Sequence, residues 1–378
     1  MIRVLHVIDH LDLGGAQTAL LDMLRHRDQS TFDVEVAVMH GRGPFAEALE
    51  ELGIKVHSLA RKKWPPTYVV EFVRLLQSTN FEIVHFHLQG ANWIAKPLAA
   101  LAGQRVRIAH EHSSGDPRFR GVSSLLPDAS SHLFSSRIIA ISKGVRDFLA
   151  RWEAVPTDLI ELVPNGVDVD IFHPCTKDQK RAARSRMSIS AEAFVAGSIG
   201  RLAQEKNLVM LAHLAVRHPD IVFVIAGSGP ERARIAALAS ELGVGSRLRL
   251  LGTILDRSSF YSALDAFILP SLYEGLPMAL LEAMSSGVPV ISSRLEGISA
   301  ALADEKEGLL AQPGDVADFS RQLKRLRESP ELSVRLAQDA RTKASNRFSA
   351  SMTARHIESV YRQELSIANA NAAVKYPL

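Results

Sequence analysis

The 378-residue chain has a single cysteine, Cys175. No disulfide can form within it, which fits a reducing cytoplasm. Aromatic residues are scarce at 6%, yet 47% of residues are hydrophobic, a balance that excludes fibrous and disordered classes and expects a packed core. Long apolar runs are also missing. The longest uncharged stretch, IVHFHLQGANWIA at 83–95, is too short for a bilayer-spanning helix. The opening MIRVLHVIDHLDLGG lacks the basic-then-apolar pattern of a secretory signal, so a cytoplasmic chain is expected. Net charge is only +3, far from a nucleic-acid-binding signature. No G-x-G-x-x-G occurs, which removes the fingerprint of a nicotinamide dehydrogenase.

What is present has a rhythm. IRVLHVID, DVEVAVMH, IKVHSLA, EIVHFHL, VRIAHEH and RIIAIS alternate with amphipathic stretches, the β-α-β pattern of a parallel sheet covered on both faces. Turn-formers interrupt it at LVPNGVDVDIFHP, and a basic run follows; 162–187 reads as the linker. The rhythm resumes with AFVAGSIG, DIVFVIAGSG, RLRLLG, AFILP and VPVISS. A chain of this length exceeds one ordinary core. The expectation is an N-terminal domain over 1–172 and a C-terminal domain over 173–349. A final helix at about 350–368 packs back on the first. The fold class is α/β: two Rossmann-like, doubly wound sheets facing across a cleft, with ligands at the C-terminal ends of the strands.

Two short segments carry the chemistry. In AFILPSLYEGLPMALLEAMSSGVPV a buried strand leads into a Gly-containing loop and a helix of roughly ten residues, with Pro277 suited to its first turn and Gly287 to its end. Such a helix N-terminus offers free N–H groups and partial positive charge to a phosphate. Glu282, facing inward, suits the paired hydroxyls of a ribose, and Glu274, on the loop, a second polyol; capping and salt bridging is the plainer alternative. In GSIGRLAQEKN a strand ends at Gly200, with Arg201 and Lys206 beyond it, cations placed to neutralise a diphosphate.

The order GRLAQEKN, AGSGPER, PSLYEGLPMALLEAMSSGVPV and GLLAQPGD, after LDLGGAQT, AISKGVRDFL and LVPNGVD, resembles family 4 glycosyltransferases from about residue 3 to 350. The resemblance implies a retaining, GT-B-fold enzyme that needs no metal and no cofactor. Its partners would be a nucleotide-sugar donor, UDP-sugar first among them, and a glycan or lipid-linked acceptor of cell-surface polysaccharide synthesis. Arg201 and Lys206 would bind the diphosphate, Glu282 the ribose, and Glu274 the sugar with the backbone of Gly275, Leu276 and Pro277. Gly200 would shape the phosphate loop, and Gly15 would let backbone approach the reacting centre. Asn165 and Asp168 would shape the connection between domains. The rivals are a nucleotide-sugar epimerase of GT-B-like fold and a non-catalytic nucleotide-sugar-binding subunit.

Four histidines stand in two pairs at strand ends, His85 and His87 in HFH, His110 and His112 in HEH. Residues two apart share a strand face, so a zinc site is one reading. The resemblance argues for the other: His112 contacts the donor sugar near the anomeric carbon, with His110 the alternative and His85 and His87 structural. RKKW at 61–64, ahead of an apolar helix, fits contact with an anionic membrane surface at the inner face and equally a loop entering an ordinary helix.

Overall fold

The computed structural model describes residues 1–59, 67–112 and 125–375. The basic stretch at 61–64 and the serines after His112 lie outside them. The chain divides into two compact units, Met1–Gly166 with Ala350–Leu378, and Val167–Ser349.

The first unit holds strands β1 (Ile2–Ile8), β2 (Phe32–Val38), β3 (Lys55–Ser58), β4 (Ile83–His87), β5 (Val106–Glu111), β6 (Arg137–Ala140) and β7 (Ile160–Leu162). They form one parallel sheet in the order β3-β2-β1-β4-β5-β6-β7. The order reverses between β1 and β4, which makes their C-terminal ends the switch point where such sheets open a crevice. All five residues of β4 are buried, because helices cover both faces of a parallel sheet. One cover is the C-terminal helix Ala350–Lys375, whose Ala354, Ile357, Val360 and Tyr361 enter the core with β1, β2 and the helix Gly15–Arg25. Burial of side chains such as Ile357 and Val360 stabilises by about 1.5–3 kcal/mol each, which ties the end of the chain to this unit.

The second unit holds β8 (Phe194–Ile199), β9 (Ile221–Ala226), β10 (Leu248–Gly252), β11 (Ala266–Leu269), β12 (Val290–Ser293) and β13 (Leu309–Ala311). Their order is β10-β9-β8-β11-β12-β13, again parallel, with the switch between β8 and β11. The two-sheet α/β architecture read from the strand rhythm is the observed one. The expected linker at 162–187 differs in its second half. Lys177–Arg186 is a helix, opened by a capping box in which Thr176 and Gln179 satisfy each other's backbone N–H groups. Its basic residues hid a local start signal that the composition alone does not show. Among the described residues no helix is long and apolar enough to cross a membrane.

Candidate active site

In the second unit the segments after β8 and β11 meet at the sheet's switch point. Gly200, directly after β8, has φ +151°, a conformation that a residue with a Cβ rarely adopts. Its N–H donates to the Ala226 carbonyl, so the chain turns sharply where β8 ends. Asn207 takes the left-handed conformation and its side-chain amide donates to the Pro270 carbonyl at 3.3 Å. The Leu272 N–H donates to the Glu205 carbonyl at 2.8 Å, stitching the two loops together. Between them lies a crevice of about 250 Å³ whose lining includes Gly200, Lys206, Ser271, Pro277 and Ala279.

Lys206 and Glu274, 68 positions apart, are paired there. Lys206 Nζ lies 2.7 Å and 2.8 Å from the two carboxylate oxygens of Glu274, and Ser271 Oγ donates to Oε1 at 2.7 Å. The Glu274 side chain is 7% exposed and that of Lys206 25%, so solvent screens the pair only in part. Arg201 is different. Its side chain is 70% exposed and holds Glu205, four residues on, at 2.7 Å, a surface pair worth little and free to swing to another anion.

Pro277 is not inside the following helix but caps it, in extended conformation, and the helix Met278–Ser285 is eight residues long. No side chain caps that end, which leaves the first N–H groups for a ligand. Gly275 and the buried Leu276 form the turn between Glu274 and the cap. That turn is fixed from behind by Gly297: a Cβ there would sit 1.9 Å from the Glu274 carbonyl oxygen and 2.6 Å from that of Gly275.

Glu282 points inward and is fully buried. Its Oε1 lies 2.9 Å from Arg257 Nη1 and its Oε2 accepts from the Tyr261 hydroxyl at 2.9 Å. Burial raises its carboxyl above the ordinary range, with Arg257 and Tyr261 pulling the other way. Arg257 also lies over the Phe172 ring, 5.6 Å from its centroid. The structure thus brings Lys206 and Glu274 together with Gly200 and the helix N-terminus. Glu282 is held instead by Arg257 and Tyr261 and is not among the residues that line the crevice. Ser271, Arg257, Tyr261 and Gly297 were not singled out in the sequence; Ser271 alone had a signal, lying inside the same segment as Glu274.

In the first unit, Gly15 opens the helix Gly15–Arg25, and a Cβ on it would meet no atom of the described residues within 4 Å. Asn165 is buried, as is Asp168 at the start of the second unit; Asp168 Oδ1 accepts from the N–H groups of Asp170 and Ile171 and shapes that turn. The histidines form a larger group than the two pairs. Register places His6 of β1 beside His85, and His87 beside His110. His6, His85, His87 and His110 are at most 4% exposed, and burial holds all of them below the ordinary imidazole range, His6 at about 3. Burial likewise lowers His112, to about 4. Their nitrogens come within 4.8 Å of one another in two overlapping groups, His6–His85–His87 and His87–His110–His112. His6 was missed because its place beside His85 depends on the strand order, which no local pattern gives.

Residues 179–343 match the family model described as glycosyl transferases group 1, and 13–171 match glycosyltransferase family 4. Putative glycosyltransferase EpsF of Bacillus subtilis is 30% identical over 77% of this chain and 79% of its own length. The UDP-Gal:alpha-D-GlcNAc-diphosphoundecaprenol alpha-1,3-galactosyltransferase of Escherichia coli is 26% identical over 92% of this chain and 93% of its own. Among solved structures, Anabaena Alr3699/HepE in complex with UDP-glucose superposes with a TM-score of 0.88 at 20% identity, covering 96% of this chain and all of that one. Matched in both halves by family models, and over most of its length by a 30%-identical relative, the chain belongs to family 4 of the glycosyltransferases, with the GT-B fold.

Proposed function

We propose that this enzyme moves a sugar, with retention of anomeric configuration and without a metal ion, from a UDP-sugar to a hydroxyl of a glycan or lipid-linked acceptor. The observation that carries the reading is the Lys206–Glu274 pair at the β8/β11 switch point, beside a glycine turn and an uncapped helix N-terminus. The Escherichia coli relative acts, by its name, on UDP-Gal and a diphosphoundecaprenol-linked sugar, which supports this donor and this acceptor class.

In this reading the diphosphate takes Lys206 and Arg201 and the helix N–H groups, which stabilise the charge that builds on the departing phosphate. Lys206 then exchanges one anion for another, and Glu274, released, accepts from hydroxyls of the sugar held by the backbone of Gly275, Leu276 and Pro277. Glu282 serves the ribose. On the first unit, Gly15 and His112 serve the reacting centre. The acceptor hydroxyl attacks from the face that the nucleotide leaves. The N-terminal unit serves as the acceptor domain, and the RKKW segment is kept for contact with the inner membrane face.

The test is calorimetric. Lys206→Ala removes a charge-assisted bond worth about 1.5–3 kcal/mol and also leaves Glu274 uncompensated next to an incoming anion. UDP affinity should therefore fall by roughly ten- to a hundredfold, with a smaller loss in Arg201→Ala, whose side chain is exposed. Wild-type UDP affinity in both variants would mean that the diphosphate binds elsewhere.

Gly297→Ala probes the turn rather than the charges. The new methyl must push the Glu274–Gly275 backbone toward the crevice, and a misplacement of about 1 Å costs on the order of a hundredfold in rate. Initial transfer rates should fall by roughly ten- to a hundredfold while UDP still binds. Unchanged rates would show that the turn yields without moving the Glu274 carboxylate.

A further inference from the structure

Five side chains of the first unit are linked end to end. His112 Nε2 lies 3.3 Å from His87 Nδ1, and His87 Nε2 lies 2.9 Å from His6 Nδ1. His6 Nε2 in turn lies 3.3 Å from the Tyr361 hydroxyl, which lies 2.6 Å from His85 Nδ1. The two ends of the chain, His112 Nδ1 and His85 Nε2, are buried and have no hydrogen-bond partner among the described residues.

A neutral imidazole carries one N–H and one lone pair, and a phenol one O–H. With the phenol proton used in one of the links, the protons of such a linear chain have only two consistent orders. In one, every link donates away from His112: its Nε2–H goes to His87, and its Nδ1 is left as a bare lone pair. In the other, every link donates toward His112, and its Nδ1 carries the proton. His6 and His87 use both of their ring nitrogens in the chain, so neither ring can turn without breaking two bonds. The rings are also packed on one another, with centroids of His6 and His87 5.2 Å apart and of His87 and His112 5.6 Å apart. Tyr361, from the C-terminal helix, is the member whose single proton cannot tautomerise; it closes the chain.

We propose that Tyr361 is a positioning residue that acts through His6 and His87 to fix the ring orientation and the tautomer of His112. It thereby sets whether the nitrogen left over for a ligand, Nδ1, accepts or donates. The inference rests on the reading that gives His112 to the reacting centre. It also assigns a task to the C-terminal helix beyond filling the core: the last helix of the chain orders a side chain at the end of β5.

The experiment uses the full chain labelled with ¹⁵N-histidine. In the wild type, the ring nitrogens of His112 should show one tautomer. Tyr361→Phe removes the hydroxyl and keeps the ring that packs on Phe32; His112 should then show averaged ring-nitrogen shifts, with kcat reduced about tenfold and the KM for donor nearly unchanged. His6→Asn cuts the chain one link nearer and should do the same, which keeps the test available if the first variant folds poorly. Unchanged His112 shifts in a folded variant would overturn the proposal. So would stoichiometric zinc in the purified wild type, since a metal rather than the phenol would then hold the rings. Loss of the single tautomer with full activity in both Tyr361→Phe and His112→Ala would support the chain and refute instead the assignment of His112 to transfer.

Discussion

Acidification from pH 7 to pH 5 is expected to unfold the N-terminal unit. His6, His85, His87 and His110 are at most 4% exposed and held neutral by burial, His6 down to about 3. In the unfolded chain each returns to about 6.5. A group whose folded pKa is depressed contributes stability that is present above the unfolded pKa and is lost as pH falls below it, until the folded pKa is reached. The window therefore opens near pH 6.5 and extends to about 3 for His6. Between pH 7 and pH 5 a histidine whose folded pKa lies near 3, as for His6, costs about 2 kcal/mol by proton linkage; His112, lowered to about 4, and the other buried imidazoles act in the same direction, so the cluster together costs several kcal/mol. That is comparable with the roughly 5–15 kcal/mol that holds a typical domain together.

Urea titrations at a series of pH values, followed by circular dichroism, read this directly. His110→Leu is the informative variant, because neither His110 nitrogen has a hydrogen-bond partner among the described residues. Leucine removes one titrating group and two unsatisfied polar atoms, so the pH dependence should flatten and stability at pH 7 should hold or rise. A midpoint that stays level from pH 7 to 5 in the wild type would mean that the cluster is solvated or already bound to something.

The same residues show where sequence reading stops. The α/β class and the family were legible because they rest on local patterns: strand-like runs such as AFILP, and PSLYEGLP followed by a helix and Gly287. Lys206 and Glu274 were legible one at a time as polar residues beside strand ends. Their pairing was not, since it depends on β8 lying next to β11. His6 and Tyr361 lie 355 positions apart, and only the strand order and the return of the last helix bring them together. Arg257 and Tyr261 around Glu282 were hidden for the same reason: their helix, Arg257–Ala263, reads as an ordinary connector. The exchange partner of a buried charge is a tertiary fact.

That partner sharpens what the two glutamates should do when each is changed to glutamine. Glu274→Gln keeps size and weakens the grip of the loop on Lys206 and on a sugar hydroxyl. Free UDP, which lacks the sugar, should bind as well as before or better, because Lys206 is no longer shared with a carboxylate. Transfer should fall by roughly ten- to a thousandfold, or about 1.4 kcal/mol of barrier for each factor of ten. Glu282→Gln strikes a fully buried carboxylate whose Arg257 partner is 21% exposed. Breaking a buried pair costs about 3–5 kcal/mol because one charge is left uncompensated; Arg257's access to water brings the figure toward or below the lower end here. Thermal stability should drop more in this variant than in the first, whose carboxylate is not fully buried. If Glu282 also serves the ribose, donor and free UDP affinities fall together, since both carry that ribose. The paired measurement is calorimetry with UDP and initial rates with donor and acceptor, on both variants, beside their melting curves. A Glu282→Gln protein that melts early but binds UDP like the wild type would leave Glu282 as a structural anchor under the helix, held by Arg257 and Tyr261. Equal loss of UDP binding in both variants would assign both acids to the nucleotide, and the sugar would need a different partner from Glu274.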